Sequence, residues 1–332
     1  MRLSVLDQTP VPQGKTASEA LQYTVRLAQE TERLGYQRFW VSEHHASTSL
    51  AGSSPEVLIS HLAAKTSRLR IGSGGVMLPH YSAYKVAENF KLLEALYPGR
   101  IDVGLGRAPG GMPLATRALQ EGKTRSVDRY PQQIADLADY LYNTVSEHSA
   151  YAGLIASPLI STAPEVWLLG SSGDSATIAG QQGAAFAFAH FINGQSAGEA
   201  FYNYHLHFRP SRLGDKPKTI LALFVLCADT DDEAERLASS GSLFFLKLIQ
   251  GMESFGFPTV ETALAYPYTD MERAQLNEYR QRNLVGSPAK VKEGLLRYQH
   301  DYKPDELMIV TITHDIEARI RSYQLIAEAM GL

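Results

Sequence analysis

The chain has 332 residues, of which 44% are hydrophobic and 20% charged, and its formal net charge is −4. This length allows one large domain or two of ordinary size. No Lys/Arg-rich run is present, which argues against nucleic acid or an anionic membrane as a partner. The single cysteine, Cys227, excludes a disulfide within the chain. A signal peptide and a membrane span would each need a longer apolar run, so we expect a cytoplasmic protein.

Eight candidate strands alternate with helical patterns along the chain. In 17–34 and 83–97 the apolar residues recur at steps of three and four, the period of one buried helix face. Several strands are apolar nearly throughout, which is typical of a parallel sheet covered by helices. The candidate strands are 2–6, 38–42, 70–77, 100–105, 166–170, 185–189, 219–227 and 306–312.

Eight β/α units in one chain predict a (β/α)8 TIM barrel, with a doubly wound open sheet as the alternative. Residues 251–287 are predicted to be an insertion between the seventh and eighth strands. Because this segment is longer than a simple βα connection requires, we expect a lid or a flexible loop there. The chain, 1–332, is interpreted as a single domain.

The second strand ends directly in Glu43, His44 and His45. In a barrel of this type the carboxyl ends of the strands carry the catalytic residues. Adjacent residues on an extended chain point to opposite sides, so only one histidine should face the reacting group. The other is expected to pack or hydrogen-bond behind it, with Glu43 as the candidate partner. Histidine suits proton transfer because its ordinary pKa is near neutrality.

The stretch "LLGSSGDSATIAG", 168–180, passes from a strand through small residues into a helix. The helix N-terminus offers unpaired N–H groups to an anion, and Ser171, Ser172 and Ser175 add hydroxyl donors. Ordinary N-capping by serine is the alternative interpretation. Arg107, at the end of the fourth strand, favours an anion site, since its guanidinium could close on the same group. For Arg107 itself the alternative is a salt bridge with a neighbouring acid.

The glycines of "GSGG", 72–75, lie within a strand, so they do not fit the strand-to-helix turn of a dinucleotide fingerprint. Glycine inside a strand indicates a bulge, or a flat group close to the backbone. We favour the flat group; the alternative is that the glycines only make room for neighbouring side chains.

A metal site is not expected from the histidine pattern. His44 and His45 point to opposite sides of an extended chain, and His205 and His207 are two apart in a predicted helix and do not share a face. The sequence contains neither His-x-x-Glu-His nor Cys-x-x-Cys, which argues against a zinc hydrolase. It also lacks the G-x-S-x-G elbow of serine hydrolases.

Three stretches together resemble the luciferase-like, flavin-dependent monooxygenases, in particular the single-component members. They are "EHH" after the second strand, "GSGGVMLPHYSAYKVAENFKLLEALYPGRIDVGLGRAPG" and "PEVWLLGSSGDSATIAGQQG". The resemblance extends over nearly the whole chain. It implies a monooxygenase that takes reduced FMN from a separate flavin reductase, forms a flavin peroxide with O2 and oxidises a small organic substrate.

The resemblance also implies roles for particular residues. His44, the first histidine of "EHH", matches the catalytic histidine, with Glu43 beside it. Arg107 matches the phosphate-binding arginine, and the phosphate loop matches Ser171, Ser172 and Ser175. The luciferase α-subunit has an acid where this chain has Ser171, so phosphate contact is expected more at Ser172.

Further expectations follow from the same family. Gly74 and Gly75 are expected to lie under the flavin ring, joined by a cis peptide bond. The ends of strands one, two and six and the lid should line the substrate pocket, with Gln8, His45 and His190. Leucines on more than one face of the helices 55–66 and 83–97, where this family pairs, predict a homodimer; they are Leu58, Leu62, Leu92 and Leu96.

Two other functions stay open on the same barrel. One is a deazaflavin-dependent reductase, since relatives of this barrel use that cofactor for hydride chemistry. The other is a non-catalytic flavin-binding protein, although storage alone would not require Glu43 and His44.

Overall fold

The computed structural model describes residues 1–122, 127–252 and 256–332. Within these ranges the strands are β1 (Arg2–Asp7), β2 (Arg38–Val41), β3 (Arg70–Ser73), β4 (Val76–Met77), β5 (Ile101–Gly106), β6 (Glu165–Gly170), β7 (Ala185–Ala189), β8 (Thr219–Cys227), β9 (Leu284–Gly286) and β10 (Glu306–Val310). The α-helices are α1 (Ala17–Arg33), α2 (Pro55–Lys65), α3 (Ala83–Leu96), α4 (Pro113–Leu119), α5 (Tyr130–Tyr142), α6 (Gly173–Gln182), α7 (Ala197–His207), α8 (Asp231–Ile249), α9 (Val260–Ala265), α10 (Asp270–Arg280), α11 (Pro288–Tyr302) and α12 (Ile316–Met330). Short 3₁₀ helices span Leu78–His80, Val127–Arg129 and Gly194–Ser196. None of the helices in these ranges is both long and apolar enough to cross a bilayer.

The parallel strands close into a barrel, because β10 pairs with both β1 and β8. The predicted (β/α)8 barrel is thus confirmed, since a doubly wound sheet would leave two open edges. β3 and β4 together fill one of the eight barrel positions, next to β5. The predicted strand 70–77 is therefore interrupted at Gly74 and Gly75, and the peptide bond between them is cis, as predicted.

A cluster of buried charges closes the barrel at the amino ends of its strands. The guanidinium of Arg38 donates to Asp102 at 2.7 Å and to Glu306 at 2.8 Å. Trp40 Nε1 donates to the same Asp102 carboxylate at 2.9 Å. Burial alone would lower the pKa of Arg38, but the carboxylates of Asp102 and Glu306 outweigh it and raise that pKa. This charge cluster therefore fills the end of the barrel opposite the one at which His44 lies.

The insertion 251–287 is built largely from regular elements, namely α9, α10 and β9; its residues 253–255 lie outside the described ranges. β9 runs parallel to the end of β8, with Val225 opposite Leu284. Phe257 is buried, and it bonds through its backbone to Val11 at 2.6 Å and Gln13 at 2.8 Å. The segment therefore packs over the carboxyl end of the barrel.

Candidate active site

A cavity of about 710 Å³ opens at the carboxyl ends of the barrel strands, beneath the insertion. This volume lies within the range of about 300–1,000 Å³ that small-molecule sites occupy. Of the residues predicted for the site, Gln8, His44 and His45 lie in the cavity wall. The wall is mainly apolar and includes Phe191, Phe224, Phe244, Phe257, Val310 and Ile312.

Glu43 is the buried anchor of this mouth. Its Oε1 accepts hydrogen bonds from the Tyr81 hydroxyl at 2.7 Å and from His45 Nε2 at 2.6 Å. Its Oε2 accepts from the backbone N–H of Met77, at the end of β4, at 2.9 Å. Three hydrogen-bond donors offset the free-energy cost of burying the Glu43 carboxylate. The predicted bond between Glu43 and His45 is confirmed. Glu43 thus orients His45 and fixes the chain that follows the glycines.

His44 is held differently from its neighbour. Its backbone N–H donates to Gly52 at 2.8 Å, while its buried ring atom Nε2 has no hydrogen-bond partner among the described residues. Burial, and then the proximity of His45, lower the pKa of His44 to about 4. The ring is therefore neutral at physiological pH. Buried polar atoms are normally paired, so an unpaired nitrogen at a cavity wall indicates a place for a ligand atom or a proton.

Arg107 and the loop 171–175 emerge side by side, because β5 pairs with β6 with Leu105 opposite Leu168. Arg107 is exposed and forms no salt bridge with any described residue, so the alternative that an acid pairs with it finds no support in those ranges. These residues are not in the wall of the 710 Å³ cavity. They occupy an adjacent part of the barrel rim.

The hydroxyls of Ser172 and Ser175 already have partners in the N-cap of α6. Ser175 Oγ donates to the carbonyl of Ser172 at 2.8 Å, and Ser172 Oγ accepts from the N–H of Ser175 at 3.4 Å. The carbonyl of Ser171 accepts from Asn193 at 3.1 Å. Capping, the alternative interpretation, is therefore present. An anion here would rely mainly on the first backbone N–H groups of α6, which have no partner within the helix.

Gly74 and Gly75 are required by the packing of the protein itself. A Cβ added at Gly74 would lie 2.5 Å from Leu6 Cδ1, and one at Gly75 would lie 2.7 Å from the carbonyl oxygen of Gly104. These contacts explain the glycines without a ligand. The flat group over them stays a prediction.

His190, predicted to line the substrate pocket, is directed elsewhere. Its ring packs against Tyr298 at 5.0 Å and Tyr302 at 6.0 Å between ring centres, and it is not in the cavity wall. Burial, followed by the charge of Arg282, lowers the pKa of His190 to about 4. The alternation along β7 explains the direction, since Phe188 and Phe186, two and four residues earlier, also face the helices. The placement of His190 does not support its predicted contact with a substrate in this cavity.

Three residues of the site were missed from the sequence: Tyr81, Arg282 and Asn283. Tyr81 contacts Glu43 across 38 positions, and no local pattern signals that bond. Arg282 and Asn283 lie in the cavity wall at the end of the insertion, just before β9. Their position in the sequence could have indicated them, since they are two adjacent polar residues near the end of an insertion that covers the barrel mouth.

Comparisons with known proteins agree on one family. The model of the luciferase-like monooxygenase family matches residues 1–302. YwcH of Bacillus subtilis (strain 168) is 54% identical over 329 residues, which cover 99% of each chain. The N-acetyl-S-alkylcysteine monooxygenase of the same organism is 39% identical over 332 residues, which cover 99% of this chain and 98% of the relative.

Solved structures share the fold over the full length. The crystal structure of apo-MsnO8 has a TM-score of 0.91 at 39% identity and covers 100% of this chain and 98% of its own. The oxygenating constituent of 3,6-diketocamphane monooxygenase from Pseudomonas putida, in complex with FMN, has a TM-score of 0.73 at 20% identity. It covers 99% of this chain and 97% of its own, and at that identity it shows the fold alone.

Proposed function

We propose that this chain, a monooxygenase that belongs to the luciferase-like monooxygenase family, uses reduced FMN from a separate flavin reductase and O2 to oxidise a small organic substrate. The observation that carries the proposal is His44: a neutral, half-buried histidine in the wall of a 710 Å³ apolar cavity, whose buried ring nitrogen has no partner among the described residues. That arrangement suits a reaction that must be kept from water and that needs one proton acceptor.

The residues at the barrel mouth fit FMN. The apolar cavity has room for a ring system, and Arg107 with the N-terminus of α6 would hold the phosphate beside it. When bound, reduced FMN supplies the activation of O2, which no protein side chain can supply. The chain contributes the rest: the insertion and the aromatic wall exclude water, and His44 Nε2 accepts a proton or a hydrogen bond.

The proposal is tested by supplying reduced FMN and ¹⁸O2 to the protein with a panel of thioethers, aldehydes, sulfonates and aromatic compounds, including an N-acetyl-S-alkylcysteine. We expect at least one product that carries a single ¹⁸O atom. Turnover only with reduced deazaflavin would instead support the reductase. Tight binding of oxidised FMN without any turnover would support a flavin-binding protein.

Replacement of Arg107 by alanine should weaken FMN binding by about 1.5–3 kcal/mol, the scale of a hydrogen bond to a charged group. The reason is the loss of the proposed phosphate contact at the rim. Calorimetric titration with FMN measures the effect. Arg68→Ala is a matched control, since that exposed arginine lies near the amino end of β3, far from the rim. Equal affinities of the Arg107→Ala and the unaltered protein would contradict the assignment.

A homodimer through α2 and α3 is also proposed. Leu92 and Leu96 are 54% and 56% exposed on α3, and Val57 is 72% exposed on the neighbouring α2. Of the other two leucines of the sequence prediction, Leu62 is buried and Leu58 is partly buried, and both pack on their own barrel. The proposed dimer surface therefore consists of the exposed residues Val57, Leu92 and Leu96.

We expect sedimentation to show a dimer at micromolar concentration, and a monomer for the double variant Leu92→Glu/Leu96→Glu, because two charges would be buried at the interface without partners. Leu206→Glu, on the exposed face of α7, is the control and should stay dimeric. A stable monomer of the unaltered protein would rule the dimer out.

A further inference from the structure

The cavity wall carries one strong charge. Among the described residues that line it there is no aspartate, glutamate or lysine, and the only arginine is Arg282. Its side chain is about one-third exposed, at 32%. A single cation beside a mainly apolar wall favours an organic anion with an apolar body over a neutral or cationic molecule.

The guanidinium of Arg282 is held in place by the protein, but most of its N–H donors have no close acceptor among the described residues. Nη1 donates to the carbonyl of Ile192, just after β7, at 2.9 Å. Nη2 lies 3.5 Å from Glu278, whose side chain is 74% exposed, so this ion pair is weak. A guanidinium has five N–H donors, and in the described residues only one of them makes a close hydrogen bond. The remaining donors match the two oxygens of a carboxylate.

Asn283 adds a second polar group at the same point of the wall. Its Oδ1 is buried and has no hydrogen-bond partner among the described residues. An unpaired amide oxygen beside a cation is complementary to an N–H donor next to a carboxylate. The apolar remainder of such a ligand would meet Phe191, Phe245 and Leu248, which line the same cavity.

We propose that Arg282 is the specificity-determining residue of this cavity and binds the carboxylate of the substrate, with Asn283 accepting from an adjacent N–H. The substrate class is then an N-acylated amino acid with an apolar side chain. This inference rests on the proposed function for its chemistry, but binding can be tested without turnover.

The experiment compares N-acetyl-S-benzylcysteine with its methyl ester, which keeps the shape and removes the charge. Each is titrated into the protein by calorimetry, with and without oxidised FMN. We expect the carboxylate to bind more tightly than the ester. In Arg282→Gln the Kd of the carboxylate should rise about 10-fold to 150-fold, the range for a hydrogen bond to a charged group, while the ester is unaffected. Arg280→Gln is the control, because Arg280 pairs with Glu235 and does not line the cavity.

Several results would overturn the inference. Equal binding of acid and ester by the unaltered protein, or no binding of the acid at millimolar concentration, would exclude a carboxylate site. If Arg282→Gln weakened the binding of acid and ester equally, Arg282 would only hold the insertion against Ile192 and would not bind the carboxylate. Weakened FMN binding with an unchanged acid-to-ester ratio would assign Arg282 to the cofactor. A failure of the proposed function would give a different result: FMN would not bind, or no ¹⁸O would be incorporated, while the acid would still bind more tightly than the ester.

Discussion

His44→Ala should reduce substrate oxidation by about 10²–10⁴, the contribution of a positioned general acid or base, while the affinity for FMN stays within a few-fold of the unaltered protein. The reason is that His44 lies in the cavity wall and that its buried ring atom Nε2 has no hydrogen-bond partner among the described residues. Single-turnover kinetics with reduced FMN and a substrate identified from the panel measure the loss, and calorimetry checks the FMN affinity.

His45→Ala is the matched comparison for this effect. His45 Nε2 already forms a hydrogen bond with Glu43 at 2.6 Å, so His45 is expected to position its neighbours rather than to transfer a proton. Its replacement should therefore reduce the rate of oxidation less than the replacement of His44. Complete loss of oxidation in His45→Ala with near-normal oxidation in His44→Ala would reverse the two roles.

The dependence on pH gives an independent check of His44. A base must be neutral to accept a proton, and burial lowers the pKa of His44 from 6.5 to about 4. The neutral form therefore persists as pH falls through 6.5 and is lost only near pH 4. We expect the rate to stay level between pH 8 and 5, where an ordinary exposed histidine would already be protonated. A rate that halves near pH 6.5 would show that His44 is not held in this desolvated state.

Much of the fold was accessible from the sequence because its signals are local. Apolar runs located the barrel strands, and the spacing of three and four located α1 and α3. The bond between Glu43 and His45 also follows from local geometry, since residues two apart on an extended chain share a side. The same rule, applied along β7, would have predicted that His190 points away from the cavity.

The remaining features depend on contacts that cross long stretches of chain. Arg282 reaches Ile192 across 90 residues, and Arg38 reaches Glu306 across 268. Nothing near Arg38 distinguishes it from an exposed arginine at the start of a strand. Only closure of the barrel, which brings β1, β2 and β10 together, buries its charge. For the same reason the sequence placed Ser172 and Ser175 near an anion but could not show that their hydroxyls serve the cap of α6.

Arg38→Ala should lower the free energy of unfolding by about 3–5 kcal/mol, the cost of breaking a buried ion pair by removing one partner. Asp102 and Glu306 have fully buried side chains, so neither could recover water as a substitute. Equilibrium urea unfolding measures the change. Arg26→Ala is the control, because Arg26 and Glu317 form an exposed pair, 47% and 63% accessible, worth about 0–1 kcal/mol.

The deficit of Arg38→Ala should shrink as the solution is made acidic. In the unaltered protein, burial favours a raised pKa for Asp102, but Arg38 and Arg70 outweigh it and lower that pKa. The stability that comes from ionised Asp102 is therefore present above its ordinary pKa and is lost as pH falls through the lowered value. Without Arg38, only Arg70 of these two arginines remains beside Asp102, so the pKa of folded Asp102 should be less strongly lowered. The variant should therefore lose less stability than the unaltered protein on acidification. Urea unfolding at pH 7 and at a pH below the ordinary Asp102 pKa of 3.8 should show the two proteins converging. A deficit that is the same at both pH values, or no larger than that of Arg26→Ala, would show that the charge cluster does not hold the closed end of the barrel.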